Sequence, residues 1–538
     1  MRACITVVVF LLASNFSWGS VIPNEDEVIT SFENLLRDEI SETLETGLAG
    51  PLLTKTLNKL QLNEVLKMYS DEKEIPVGYE AIFCPLCDIG VEEILHSVRN
   101  GTDPADIMDL LIDLCVNLGI ANLNFCEHLL HDVDDQLIWI ASNRENLTGE
   151  DFCGMFLAGL GCETNNPDRI WEIPLPDDNK PAVVDPVIPP DLDFILWTGD
   201  LVPHNVWNIT REENLMIIKE CVQMLADNFP GVPVFPAIGN HESDPVNSFP
   251  QPYIDNEFDI SWLYDEIANL WLTWLPEDVA HSIAYGGFYT TLIKPGLRVV
   301  SMNSNYCYNF NWWLIYDDVD PAAELVWIGN QLNDAEVNGE KVYLIAHIPS
   351  GSGDCLKTWS HEFNKIVFRY ESTIAGLFYG HTHKDHFMVF YDPVETTRPY
   401  HIGYIAGSQT PYSYLNPGYK VYTIDGDYAG SSYRVLDHEN WVVDLELANL
   451  NDDPQFYHLY SAKGAYNMTD LTPASWDNLL TKMEEPDSPL FDAFYRHYIK
   501  AARPHLDDGC GPICKSSILC GLVVSDSSDH SHCDNLQN

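Results

Sequence analysis

Basic side chains are scarce in this sequence: 28 lysines and arginines face 81 aspartates and glutamates, a formal net charge of −53. A surface that acidic repels nucleic-acid phosphates and anionic bilayers at neutral pH, so nucleic acid is excluded as a partner. Near pH 5 carboxylates begin to protonate and histidines gain charge, and an acidic working compartment would relieve the repulsion. Long apolar runs are also lacking. The stretch from Ile5 to Ala13, in MRACITVVVFLLASNFSWGS, falls short of the ~20 residues a membrane-spanning helix requires. With Arg2 before it and the small residues Ser17 and Gly19 after it, the reading is a secretory signal over residues 1–19, with no transmembrane segment. Internal repeats are absent.

What is present is ample. At 538 residues and 46% apolar composition the chain exceeds one average domain, and two or three are expected. Sequons at Asn100, Asn146, Asn208 and Asn467 agree with a secretory route to a secreted or lysosomal destination. Of the fourteen cysteines, Cys4 leaves with the signal, and Cys221 sits in the amphipathic pattern IIKECVQMLADNF as a buried free thiol. Twelve remain for disulfides in an oxidising compartment.

Residues 20–79 are acidic and helix-like, without legible chemistry. Residues 80–166 carry Cys84, Cys87, Cys115, Cys126, Cys153 and Cys162 among amphipathic helical stretches such as VEEILHSVRNG. A linker with seven prolines follows, ending at residue 192. From 193 to 440 short strand-like runs alternate with helical patterns, the signature of a mixed α/β domain. Residues 441–538 read as helical and close on Cys510, Cys514, Cys520 and Cys533.

Four apolar runs in the middle domain end alike. FILWTGD ends at Asp200, VFPAIGNHE at Asn240 and His241, KVYLIAHIP at His347, and GLFYGHTH at His381 and His383. Each looks like a buried strand delivering a polar side chain at its carboxyl end, where open α/β sheets gather their sites. A single histidine at a strand end is ordinarily a hydrogen-bonded core or rim residue. The ordered set is another matter, because Asp, Asn and neutral His are the oxygen and nitrogen donors that zinc or manganese accepts.

The order Gly-Asp, Gly-Asn-His-Glu, Gly-His-x-His resembles the calcineurin-like metallophosphoesterases. The six cysteines on short helices resemble a saposin domain, a helical lipid-binding module. Together with WTGDLVPHNVW, GGFYTTL, LNPGYKVY and GSSYRVLDHE, they resemble the acid sphingomyelinase family over residues 80–538. The fold class implied is α+β: a small all-α saposin domain, a metallophosphoesterase α/β domain built as a β-sandwich flanked by helices, and a helical C-terminal region. The activity implied is hydrolysis of sphingomyelin to ceramide and phosphocholine by water activated between two zinc ions, with the saposin domain contacting the membrane and the chain acting as a monomer.

The resemblance implies site roles for Asp200, Asn240, His347, His381 and His383 as zinc ligands, with Asp200 shared between the ions and His383 belonging to the second. It implies His241 and His204 as groups that protonate the leaving alkoxide, suited to imidazolium at acid pH. Tyr412 is implied near the choline headgroup; a packing role stays open for it. The implied disulfides are Cys84–Cys162, Cys87–Cys153, Cys115–Cys126, Cys307–Cys355, Cys510–Cys514 and Cys520–Cys533.

One departure stands out. The family carries an Asp-x-His strand before the Gly-Asp motif, and from Asp132 to Gly199 this sequence has no histidine. The second zinc site is therefore incomplete. Three readings follow: an incomplete transcript of a working enzyme, a secreted lipid- or ion-binding relative without turnover, and a working site with one ion. A phosphodiesterase acting on nucleotides is a further alternative, to which a lipid-binding module is poorly suited.

Overall fold

A computed structural model describes residues 80–101, several stretches between 107 and 172, and 192–536 apart from positions 205, 207 and 208. The expected signal, the segment 20–79, most of the Pro-rich linker, Cys115, Cys126 and the sequon Asn208 lie outside the described residues. The chain divides into two units, Met1–Pro167 and Asp168–Asn538.

The first unit contains α1 (Glu80–Arg99) and α2 (Gly149–Phe156). Cys84 and Cys87 project from α1 and bond to Cys162 and Cys153. The start of α2 is fixed locally: Asp151 N–H donates to Thr148 Oγ1 at 3.1 Å while Thr148 N–H donates to Asp151 Oδ2 at 3.3 Å, a reciprocal cap on the free amides of the first turn. Glu92 Oε1 on α1 accepts the Gly149 N–H at 2.8 Å and ties the two helices together.

The second unit is built on a six-stranded sheet, in which β3 (Tyr289–Lys294), β4 (Leu297–Ser301), β5 (Lys341–Ile345), β6 (Ile374–Tyr379), β7 (His386–Tyr391) and β8 (Pro399–Ile405) lie in the order β3-β4-β5-β6-β8-β7. The four central strands run parallel, and the two edges are antiparallel. Its strands alternate strictly. Val300, Leu344 and Leu377 face α3 (Glu324–Asn338) and α4 (Lys357–Arg369), packing on Leu325, Ile328, Leu332, Phe363 and Ile366. Val299, Tyr343, Ile345 and Phe378 point to the opposite face. Each large apolar side chain so buried contributes about 1.5–3 kcal/mol.

That opposite face meets a three-stranded antiparallel sheet of β9 (Gly418–Ile424), β10 (Val435–Val443) and β11 (Phe456–Ser461). Tyr422 sets its ring edge-on to Phe378 at 5.0 Å. The helices α5 (Pro473–Glu484), α6 (Pro489–Tyr498) and α7 (Pro512–Val523) close the same core with Trp476, Phe494 and Leu519. The expectation of a helical region over 441–538 is thus corrected at its start: β10 runs to Val443 and β11 adds a strand. FYHLYS is rich in aromatics, which favour a pleated half-buried surface, and Tyr460 within it is buried.

Cys307–Cys355, Cys510–Cys514 and Cys520–Cys533 are bonded. Cys221 is free but partly exposed rather than buried. Its helix, Arg211–Asn228, turns Asn214, Ile218 and Val222 inward at helical spacing, and Cys221 falls on the flank of that stripe.

Candidate metal centre

Two further strands, β1 (Ile195–Trp197) and β2 (Val234–Pro236), pair in parallel, and Ser301 Oγ at the end of β4 donates to Pro236 O at 2.8 Å. They carry the Gly-Asp and Gly-Asn-His-Glu loops. Gly199 stands at φ +88°, and a Cβ there would come within 2.5 Å of the Gly239 nitrogen, so the two loops touch backbone to backbone. Asp200, His381 and His383 themselves occupy left-handed backbone, at φ 60°, 69° and 62°. Such positions cost roughly 1–3 kcal/mol each for residues with side chains, and they cluster where a site needs them.

Four side chains converge. His347 Nε2 lies 2.9 Å from Asp200 Oδ2 and 3.1 Å from Asn240 Oδ1. His381 Nδ1 lies 3.1 Å from the same Asn240 oxygen and 3.2 Å from His347 Nε2. His347 Nδ1 is 2.6 Å from the Thr198 carbonyl, which places its proton there and leaves Nε2 with a lone pair facing inward. Asp200, His347 and His381 offer ligand atoms all within 4.8 Å of one another. Oxygen and nitrogen lone pairs aimed at a common point repel unless a cation sits between them. This donor set of two oxygens and two imidazole nitrogens fits a divalent metal.

The charges agree. Burial alone would raise the Asp200 carboxyl, but the imidazoles of His347 and His241 and the bonds they donate hold it well below the usual range. Burial would lower His347, and Asp200 raises it above the ordinary value. Two supports were not read from the sequence. Glu242, quoted there but given no role, accepts the N–H groups of Gly239 at 2.5 Å, Leu201 at 2.6 Å and Asp200 at 3.1 Å, bracing both loops from beneath. Burial and the neighbouring Asp200 push its carboxyl up to about 7. Asp354 Oδ2 stands 3.4 Å from His381 Nε2, on the side of the ring away from the other donors.

The remaining expected residues gather beside this group instead of within it. His204 stacks on Tyr412 with ring centroids 3.7 Å apart and lies 4.4 Å from His241 and 5.0 Å from His383. Tyr412 is 53% exposed and opens the cluster to solvent. His241 joins the two sets: its backbone N–H donates to Asp200 Oδ1 at 3.0 Å while its ring lies 4.4 Å from that of His204.

The charge on His204 and His241 depends on what lies against them. Burial, then the adjacent His241 ring, push His204 down to about 4, and burial also lowers His241. Neighbouring imidazoles cannot both charge easily, and an anionic phosphodiester seated against them would raise their pKa again.

Residues 176–385 match the calcineurin-like phosphoesterase family, and residues 406–538 match the acid sphingomyelin phosphodiesterase C-terminal region. Fold and site together define a metal-dependent phosphodiesterase of the calcineurin-like class. The sphingomyelin phosphodiesterase of Homo sapiens is 33% identical over 535 residues, covering 85% of this chain and 84% of that protein. Sphingomyelin phosphodiesterase 2 of Caenorhabditis elegans is 30% identical over 553 residues, covering 85% of this chain and 88% of that protein. The Bos taurus sphingomyelin phosphodiesterase is 41% identical over 345 residues, 64% of this chain but only 54% of that protein. The chain belongs to the sphingomyelin phosphodiesterase family.

Proposed function

We propose that this chain hydrolyses sphingomyelin to ceramide and phosphocholine. The observation that carries the reading is the convergence of Asp200, Asn240, His347 and His381 from four separate strand ends onto one point, with Tyr412 and His204 stacked at its margin. A zinc ion held by those four residues would supply Lewis acidity, lowering the pKa of water and offsetting charge on a phosphodiester oxygen. His241 and His204, whose rings stand 4.4 Å apart beside the four donors, would protonate the leaving alkoxide. Tyr412 offers a ring to a quaternary ammonium. His383 faces His204 and Tyr412, and with Asp200 alone it would be a poor second site.

The disulfides Cys84–Cys162 and Cys87–Cys153, both anchored on α1, support a saposin module in the first unit, through which the chain meets a lipid surface. No helix among the described residues is long and apolar enough to cross a membrane, and Asn100, Asn146 and Asn467 are exposed, as glycosylation requires. We place the protein in the secreted or lysosomal compartment on these grounds.

The test is phosphocholine release from sphingomyelin in detergent micelles at pH 5 with zinc, beside a nucleotide phosphodiester under the same conditions. Release confined to the lipid is expected. Lipid extraction without release, or faster cleavage of the nucleotide, would overturn the reading.

A further inference from the structure

A short turn of the C-terminal region reaches the site, beside His505, whose Nε2 lies 2.8 Å from the Ser413 carbonyl. Helix α6 ends at Tyr498, and Lys500 and Ala501 then both take left-handed backbone at φ 54°. That turn sends the Lys500 side chain inward, where it is 1% exposed. The stem lies in a slot left by glycines: a Cβ on Gly407 would come within 2.6 Å of Lys500 Cδ, and one on Gly418 within 3.6 Å. The ammonium donates to the Ser408 carbonyl at 2.7 Å and to Ser408 Oγ at 3.0 Å.

Ser408 is the junction between two functional loops. Its N–H donates to the His383 carbonyl at 3.2 Å, and its Oγ bonds to Thr410 O at 3.1 Å. Thr410 Oγ1 in turn accepts the Tyr412 N–H at 3.3 Å. The same turn holds the far side of the histidine loop, where Asp385 N–H donates to Tyr498 O at 3.0 Å. Asn416 Nδ2 donates to Lys500 O at 3.1 Å, closing the loop at its other end.

A buried lysine whose hydrogen bonds here go to neutral oxygens is costly, and an apolar chain of equal length would fill the slot with less penalty. Burial pushes Lys500 down to about 7, offset in part by Asp385. A mere core filler would not carry that cost.

We propose that Lys500 is a positioning residue: its ammonium, tied to Ser408, sets the 406–414 loop against the backbone of His383 and so fixes where Tyr412 meets the substrate headgroup. The headgroup part rests on the function proposed above; the loop part does not.

The test uses the full chain with Lys500→Met and Lys500→Arg. Hydrogen–deuterium exchange followed by mass spectrometry is expected to quicken about tenfold or more in peptides covering 380–386 and 406–418 of the Met variant, with β5 and α4 unchanged. The Arg variant, which keeps the charge, should recover part of the protection. Unaltered exchange in both segments, or a uniform rise across the whole unit, overturns the proposal.

In a second arm, the Met variant should raise KM for a choline-bearing phosphodiester about tenfold, with kcat and the rate on bis(p-nitrophenyl) phosphate within about threefold of wild type. An equal fall on both substrates would mark a purely structural residue. If the unaltered chain releases no phosphocholine, the activity reading fails, and exchange alone still decides the role of Lys500.

Discussion

Two sets of histidines share this unit and differ in what their ring nitrogens meet. In the site, His347 and His381 turn lone pairs toward each other and toward the oxygens of Asp200 and Asn240. In the core, His401 bonds to the Ile374 carbonyl at 3.0 Å, and His497 bonds to Tyr466 Oη at 2.9 Å and stacks on Tyr460. The first arrangement is electrostatically incomplete without a cation. The second is completed by protein alone. Lone pair against lone pair, more than histidine itself, marks the metal site, and by that standard His204, His241 and His383 stand between the two sets.

The comparison breaks most severely at Asp200. Asp200→Asn removes the one charged ligand of the group, and its cost should exceed the roughly 10–100-fold loss of metal affinity seen when only an outer partner is removed. Zinc content measured by mass spectrometry and phosphodiester turnover should fall together; a variant that keeps its zinc would show that the four donors do not bind it. The unaltered chain sharpens the same contrast by stoichiometry. About one zinc per chain is expected, because a second ion would find fewer than the roughly three protein ligands usual at catalytic zinc. Two tightly held ions would move His383 and its ring neighbours into the metal-binding set.

The core set is tested by acid. Burial pushes His401 to about 4 against an ordinary value of 6.5. The unfolded chain therefore takes up the proton first. Its contribution to stability is complete above pH 6.5 and is lost as pH falls toward 4, up to about 3 kcal/mol. His401→Gln keeps a donor for the Ile374 carbonyl without a titrating group. Relative to wild type, its denaturation free energy should improve by about that amount between pH 7 and pH 4. A constant offset would mean that His401 is not held neutral.

The sequence was most legible where a strand ends in glycine and a ligand. Apolar runs before Asp200, Asn240, His347 and His381 fixed both the element and the direction of delivery, since the pleat and the turn are local. Glu242 and Lys500 were not legible, for a physical reason. Each acts on backbone amides or carbonyls of distant segments, and a hydrogen bond to the main chain leaves no mark on the residue type of its partner. Glu242 had one available signal, its place directly after Asn240 and His241 in GNHE; Lys500, in HYIKAARP, had none. The strand β11 was missed because FYHLYS lies between helical patterns, and its pairing with β10 is a contact across sequence.

Tyr412 gives the smallest and most discriminating effect. Its ring is stacked on His204 and half exposed, so a choline group approaching it trades water for a ring face whose far side is already supported by an imidazole. An attraction of that kind contributes about 0.5–2 kcal/mol, which is roughly a 2- to 30-fold change in affinity. Tyr412→Ala should raise KM for a choline phosphodiester within that range and leave kcat nearly unchanged, while Tyr412→Phe, which keeps the ring, should stay close to wild type. If the alanine variant instead loses kcat with KM unmoved, the ring is holding His204 in place for the chemistry, and the stacked pair belongs with the reacting group and not with headgroup recognition.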